Sequence, residues 1–156
     1  MKKRYSLNLA EHMSSETGLN TSDLREVDTQ ALANLMLDAY RNTIDWEDET
    51  LQDAVDEING YLAGQALLNE SLVLSDEHGY QCACLVTYLE KQEAPLIAYI
   101  MTAARAKKTG LAHHLLQEVL YRLQVAGYSR VLAAITDGNV PSETLFSNFS
   151  FQEIKS

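Results

Sequence analysis

At 156 residues, with a formal net charge of -10 and 46% hydrophobic residues, the chain has the size and composition of one globular domain with a single sizeable core. Its acidity repels phosphate backbones and its basic residues form no stripe interleaved with aromatics, so nucleic acid is not an expected partner. No apolar run approaches a membrane span, and the basic start Met1-Lys2-Lys3-Arg4 opens onto Tyr5 to Ala10 without the apolar core of a signal peptide, so the expected setting is the cytoplasm.

Within residues 1–22, Tyr5 to Leu9 reads as a first strand and the polar run His12 to Ser22 as a loop or N-terminal extension. Leu32, Leu35, Met36, Ala39 and Tyr40 then recur at helical spacing, with Asp28 or Thr29 available as cap. A second helix is predicted from about Asp48 to Leu62, with Leu51, Ala54, Val55, Ile58 and Leu62 on one side and Gly64 near its stop. Ser71 to Ser75 reads as a strand, Glu77-His78-Gly79 as a turn, and Gln81 to Leu89 as the next strand. After Lys91-Gln92-Glu93 comes a central strand, Leu96 to Thr102. The helix from Thr109 to about Ala126 carries Leu111, Leu115, Leu116, Val119, Leu120 and Leu123 as its buried stripe. Arg130 to Thr136 is a further strand, Pro141 to Phe149 a short helix, and Phe151 to Ile154 a last short strand. This order defines a mixed α/β domain over residues 1–156.

Cys82 and Cys84, two apart in a strand, share a face. Two thiols cannot close a four-ligand zinc site, and His12 and His78 in loops and His113-His114 in a helix do not complete one. Buried structural cysteines and no metal are expected.

The stretch Met101 to Ala112 carries the chemistry. An apolar strand enters it and an amphipathic helix leaves it, with Gly110 at the junction and Lys107 and Lys108 beside it. The first turn of a helix has N–H groups without intrahelical partners and a positive dipole end, and a glycine lets a phosphate come close to them. The blander reading is a glycine that begins a helix beside two solvated lysines. A second segment, Asn139-Val140-Pro141-Ser142-Glu143-Thr144-Leu145-Phe146, follows another apolar strand and ends near Phe149-Ser150-Phe151.

These two segments, in this order and separated by one helix and one strand, resemble the coenzyme A-binding core of the Gcn-related N-acetyltransferase (GNAT) superfamily from about Leu96 to Phe151. In the first family motif an Arg or Gln is followed by two residues, then Gly, any residue, and Gly or Ala; Lys107, Gly110 and Ala112 take those places. In the second an Asn and a Ser or Ala precede Leu-Tyr and Gly-Phe, which here read Asn139, Ser142, Leu145-Phe146 and Ser150-Phe151. Four positions depart from the pattern. Lys107 keeps the cation but loses the planar fork of Arg. Ala104 stands for a frequent Pro, Ser150 for Gly, and Phe146 for a Tyr whose hydroxyl protonates the departing thiolate.

The resemblance implies a twisted, mostly antiparallel mixed sheet flanked by helices, with splayed central strands. It also implies an N-acetyltransferase that moves an acetyl group from acetyl-CoA to a primary amine by direct attack. The alternative is a noncatalytic acetyl-CoA-binding sensor, encouraged by Phe146. By the resemblance, backbone groups of Ile100, Met101 and Thr102 bond the pantetheine arm, and Lys107, Lys108, Thr109, Gly110, Leu111 and Ala112 cradle the pyrophosphate. Asn139, with Ser142 and Phe146, closes the arm from the other side; Asn139 reads equally as the cap of the helix at Pro141. Many family members pair, which makes a homodimer one expected arrangement.

An amine of Lys-like pKa, about 10.4, must lose a proton before it attacks, and a backbone N–H near Met101 suits the developing oxyanion. Tyr99, Ser142 and Glu143 are the candidate catalytic residues, with Tyr88 and Asp137 also polar near the expected cleft. Each reads more simply as structural or solvated, and a water relay serves as well. The acceptor is a small-molecule or protein amine. Asp38, Asp45, Glu47, Asp48, Glu49, Asp53, Asp56 and Glu57 gather against Arg41 alone. That cluster reads first as a solvated helix start. In the family the connection there overhangs the acceptor site, so the second reading is steering of a cationic amine, with Trp46 either holding a cation or packing in the core.

Overall fold

In the computed structural model, which describes residues 2–12, 15–41, 43–44 and 46–155, the elements follow the predicted order. They are β1 (Lys2–Asn8), β2 (Ser22–Asp23), α1 (Thr29–Tyr40), α2 (Leu51–Ala63), β3 (Leu72–Asp76), β4 (Gly79–Leu89) and β5 (Ala94–Thr102). A 3-10 turn at Ala104–Ala106, α3 (Leu111–Val125), β6 (Arg130–Thr136), α4 (Val140–Ser147) and β7 (Gln152–Glu153) complete the chain. The strands form one sheet in the order β2-β3-β4-β5-β6-β1-β7. Only β5 and β6 run parallel; the other neighbours are antiparallel.

Alternation along β4 explains why both faces of the sheet are apolar at its centre. Cys82, Cys84 and Val86 pack toward α3 with Leu115, Leu116 and Leu120. Ala83 and Leu85 turn the other way, onto α1 and α2 with Leu32, Met36 and Ile58. Both cysteines are buried free thiols sharing one face, as their spacing predicts.

Three features differ from the sequence reading. Helix α2 starts at Leu51 rather than Asp48, because Thr50 and Asp53 exchange side-chain to backbone hydrogen bonds and fix the cap there. Leu51 is consequently 37% exposed, and Tyr61 joins Ala54 and Ile58 on the buried side. The Tyr61 hydroxyl lies 2.8 Å from Ser71 Oγ and donates to the Val86 carbonyl at 2.6 Å. A short strand at Ser22–Asp23 also closes the irregular segment that the sequence reads as a loop or N-terminal extension. Ser22–Asp23 pairs with β3, and the buried Glu118 carboxylate accepts from the Thr17 amide at 3.0 Å and hydroxyl at 2.8 Å. Finally, β1 begins at Lys2 and runs between β6 and β7, with Lys2 opposite Thr136 and Asn8 opposite Arg130.

The end of α4 shows the cost of Ser150. Phe151 N donates to Phe146 O and Ser150 N to Ser147 O, a helix stop that needs a left-handed residue at position 150. Ser150 adopts φ 66, where glycine is free of steric cost and serine is not. The same stop presses Phe146 edge-on against Phe151, ring centroids 5.0 Å apart. Ser150→Gly is therefore expected to raise unfolding free energy by about 1 kcal/mol, measured as a higher denaturant midpoint with unchanged slope.

Candidate functional site

The site originates in a bulge. Along the β4–β5 ladder Leu85 pairs with Tyr99 but Val86 pairs with Ile97, so Ala98 is the extra residue on β5. A bulge bends its strand and sharpens its twist. The parallel ladder to β6 holds only Leu96 with Leu132 and Ile97 with Ala133, and among the described residues no further pair follows. Past that point β5 and β6 part. The edge of β5 from Tyr99 to Thr102 that faces β6 thus lacks ladder partners, while its other edge stays paired to β4 through Cys82, Ala83 and Cys84. The gap opens into a cleft of about 700 Å³ bounded by β5, β6, α1, α2 and α4.

The loop leaving β5 is tied down on both sides. Ala104 N donates to Asp38 Oδ2 on α1 at 2.8 Å, and Arg105 clamps Asp76 through two hydrogen bonds of 2.7 and 2.9 Å. Lys107 Nζ donates to the Ala39 carbonyl near the end of α1 at 2.8 Å. The cation expected at a phosphate therefore braces the loop against α1. Lys108 is exposed, and the Thr109 hydroxyl donates to the Ala106 carbonyl. Gly110 takes φ 84, and the first intrahelical bond runs from His114 N to Gly110 O. The amides of Leu111, Ala112 and His113 thus precede the helical ladder and have no acceptor within it.

At the other edge of the gap, Asn139 caps α4, its Oδ1 accepting from Ser142 N at 3.3 Å. Asn139, Ser142 and Phe146 all line the cleft, as do Tyr99 and Ile100. Glu143 instead accepts from the Gly138 amide at 3.0 Å and braces the loop before α4. Asp137 pairs with Lys3 at 3.6 Å. Tyr88 sits at the far end of β4, its ring 6.1 Å from Tyr128. None of these three lines the cleft. The Tyr99 hydroxyl donates to Glu57 on α2. Burial, and then the hydrogen bond and charge of Glu57, push the Tyr99 pKa well above the ordinary phenol value, so the group stays protonated at neutral pH.

The acidic cluster divides. Glu47, Glu49, Asp53 and Glu57 line the cleft, with Glu47, Asp53 and Glu57 exposed and Asp53 also capping the start of α2. Asp38 holds the loop, Asp56 accepts from Gln52, Asp48 is exposed with φ 61 outside the lining, and Asp45 lies outside the described residues. Trp46 is half-buried in the same wall; its indole N–H is buried and finds no acceptor among the described residues. Lys2, which the sequence reading passed over as part of a basic terminus, reaches the cleft because β1 lies beside β6. Only long-range strand pairing places it there, and no local signal announces that. Among the described residues no group of three metal-binding side chains occurs, and no helix is long and apolar enough to cross a membrane.

A sheet parted between two parallel strands, with a glycine-opened helix start at one side of the gap and a capped short helix at the other, defines a GNAT-type domain. Residues 78–156 match the FR47-like protein family, and the chain belongs to that family. Solved structures agree in fold. The ribosomal-protein-S18-alanine N-acetyltransferase of Escherichia coli superposes with a TM-score of 0.69 at 14% identity, covering 87% of this chain and 79% of its own. The ribosomal-protein-alanine N-acetyltransferase of Brucella melitensis gives 0.68 at 22% identity, covering 88% and 86%. A GNAT family acetyltransferase of Brucella melitensis in complex with acetyl-CoA gives 0.66 at 15% identity, covering 86% of each chain. No curated protein sequence matches the chain.

Proposed function

We propose that this protein is an N-acetyltransferase that takes its acetyl group from acetyl-CoA and delivers it to a cationic primary amine. The observation that carries this reading is the cleft itself: an unpaired β-edge on one side of the parted strands and four carboxylates across from it. The residues present suit the donor. The free edge of Ile100, Met101 and Thr102 offers backbone groups to an amide-bearing arm. The loop from Lys108 to Ala112 offers first-turn amides and one exposed ammonium to phosphates. Lys107 contributes by holding that loop against α1. Acetyl-CoA would supply an acyl carbon already activated as a thioester.

The chain's own residues then prepare the acceptor. The carboxylates of Glu47, Glu49, Asp53 and Glu57 draw in an ammonium group, and water beside them carries off its proton. Tyr99 stays protonated and gives its one proton to Glu57, so its oxygen orients the acceptor by accepting a hydrogen bond from the ammonium, and it is not a base. Phe146 has no proton to give, so an acid must come from water or another residue; this also favours the second reading, a noncatalytic acetyl-CoA sensor. The two buried free thiols suit a reducing compartment, which supports a cytoplasmic setting.

Calorimetric titration with acetyl-CoA, followed by a thiol-release screen of amines, tests the proposal. Saturable binding with amine-dependent thiol release is expected. Binding without release for any amine would leave the sensor, and no binding by a folded sample would remove both.

A further inference from the structure

We infer that the acceptor carries an anionic group as well as its reacting amine, and that Lys2 receives that anion; this rests on the acetyltransferase reading above. Among the described residues Lys2 is the one cationic side chain in the lining of the cleft, and it stands on the β1–β6 wall, on a different element from the carboxylates of α2 and the segment before it. Strand alternation separates it from its neighbour. Lys3 points to the other face and is held by Asp137 at 3.6 Å and Glu153 at 3.4 Å. Lys2, in contrast, has no ion-pair or hydrogen-bond partner among the described residues.

That lack of a partner is informative because Glu47, Glu49, Asp53 and Glu57 line the same cleft. If Lys2 served only to offset their charge, an ion pair across the cleft would be the simple outcome. Instead none of these carboxylates comes within ion-pair distance of Lys2, an arrangement that a molecule with separated positive and negative ends complements. With four carboxylates against one ammonium, the fitting acceptor has at least as much positive as negative charge. A dibasic amino acid, reacting at the amine far from its carboxylate, has that character.

Lysine and cadaverine, which is lysine without its carboxylate, isolate the effect. With acetyl-CoA and the full chain, lysine is expected to show a kcat/KM about fivefold above that of cadaverine, the size an exposed charge pair provides. Lys2→Ala should bring the ratio to about one by lowering the lysine value alone, and Lys2→Arg should preserve it. Calorimetric binding of each amine to the CoA-loaded protein should show the same order without turnover. Equal or better use of cadaverine by the unaltered protein overturns the inference, as does failure to use or bind either amine. So does a Lys2→Ala loss shared by both amines, which would place the ammonium at the leaving thiolate or in the fold. In each of these cases retained acetyl-CoA binding leaves the donor-site reading standing; loss of donor binding by the unaltered protein removes both.

Discussion

Gly110→Val should weaken acetyl-CoA binding by about tenfold or more while leaving the protein folded, whereas Gly110→Asn should bind it with a much smaller loss. Space is not the reason. A Cβ at position 110 would meet nothing nearer than the His114 ring, 3.8 Å away. The obstacle is the backbone, since φ 84 costs an ordinary L-residue about 1–2 kcal/mol and a β-branched one more. Asn visits that region at lower cost because its short amide bonds locally. The loop itself is firmly anchored upstream by Asp38, Asp76 and Ala39, so relief comes at the free end, where Thr109, Gly110 and Leu111 rotate. That rotation turns away the amides proposed to meet the phosphates. The valine variant is expected to lose at least about tenfold in affinity, the equivalent of the strain, and calorimetry alongside thermal melting separates this from unfolding. Unchanged affinity in the valine variant would show that these amides do not contact the donor.

Much of the fold was legible because the elements that build it are locally patterned. The stripe of α3, the β6 run from Arg130 to Thr136 and the Asp28 cap of α1 each depend on residues within a turn or two, and the structure has them where the pattern puts them. The start of α2 was misplaced because acidic residues at Asp48 and Glu49 suit a first turn as well as Thr50 suits a cap; the reciprocal Thr50–Asp53 bonds decide. The cleft was only half legible. Gly110 and Asn139 announce themselves by spacing, but the bulge at Ala98 that parts the sheet has no sequence mark among apolar neighbours. Lys2 depends on a strand pairing across more than a hundred positions. Lys107 was assigned by spacing alone, and the structure gives its ammonium a backbone partner on α1 that no spacing rule contains. Sequence distance also concealed the division of the acidic cluster, since helix register sends Asp53 and Glu57 to the cleft and Asp56 to Gln52.

Combined substitution Glu47→Gln, Glu49→Gln and Glu57→Gln should lower kcat/KM for a cationic amine by roughly tenfold to a hundredfold, with acetyl-CoA affinity unchanged. Each exposed carboxylate contributes up to about 1 kcal/mol to a bound cation, and the three act on one cleft. Asp53 is left in place because it accepts from Thr50 N at 2.8 Å and its loss would fray α2. Glutamine keeps the oxygen with which Glu49 accepts from the Glu47 amide, and the oxygen that receives the Tyr99 hydroxyl, so geometry survives while charge is removed. The loss should fall on KM more than on kcat, since the wall attracts the acceptor before any bond changes. Added salt should weaken the unaltered protein toward the variant, because Debye screening acts on the attraction that the substitution deletes. A neutral-pH assay over a range of ionic strength reads both effects. If the variant keeps its kcat/KM at low salt, the four carboxylates are a solvated helix start after all, and the acceptor is chosen by the aromatic lining of Tyr40, Trp46 and Tyr99 instead of by charge.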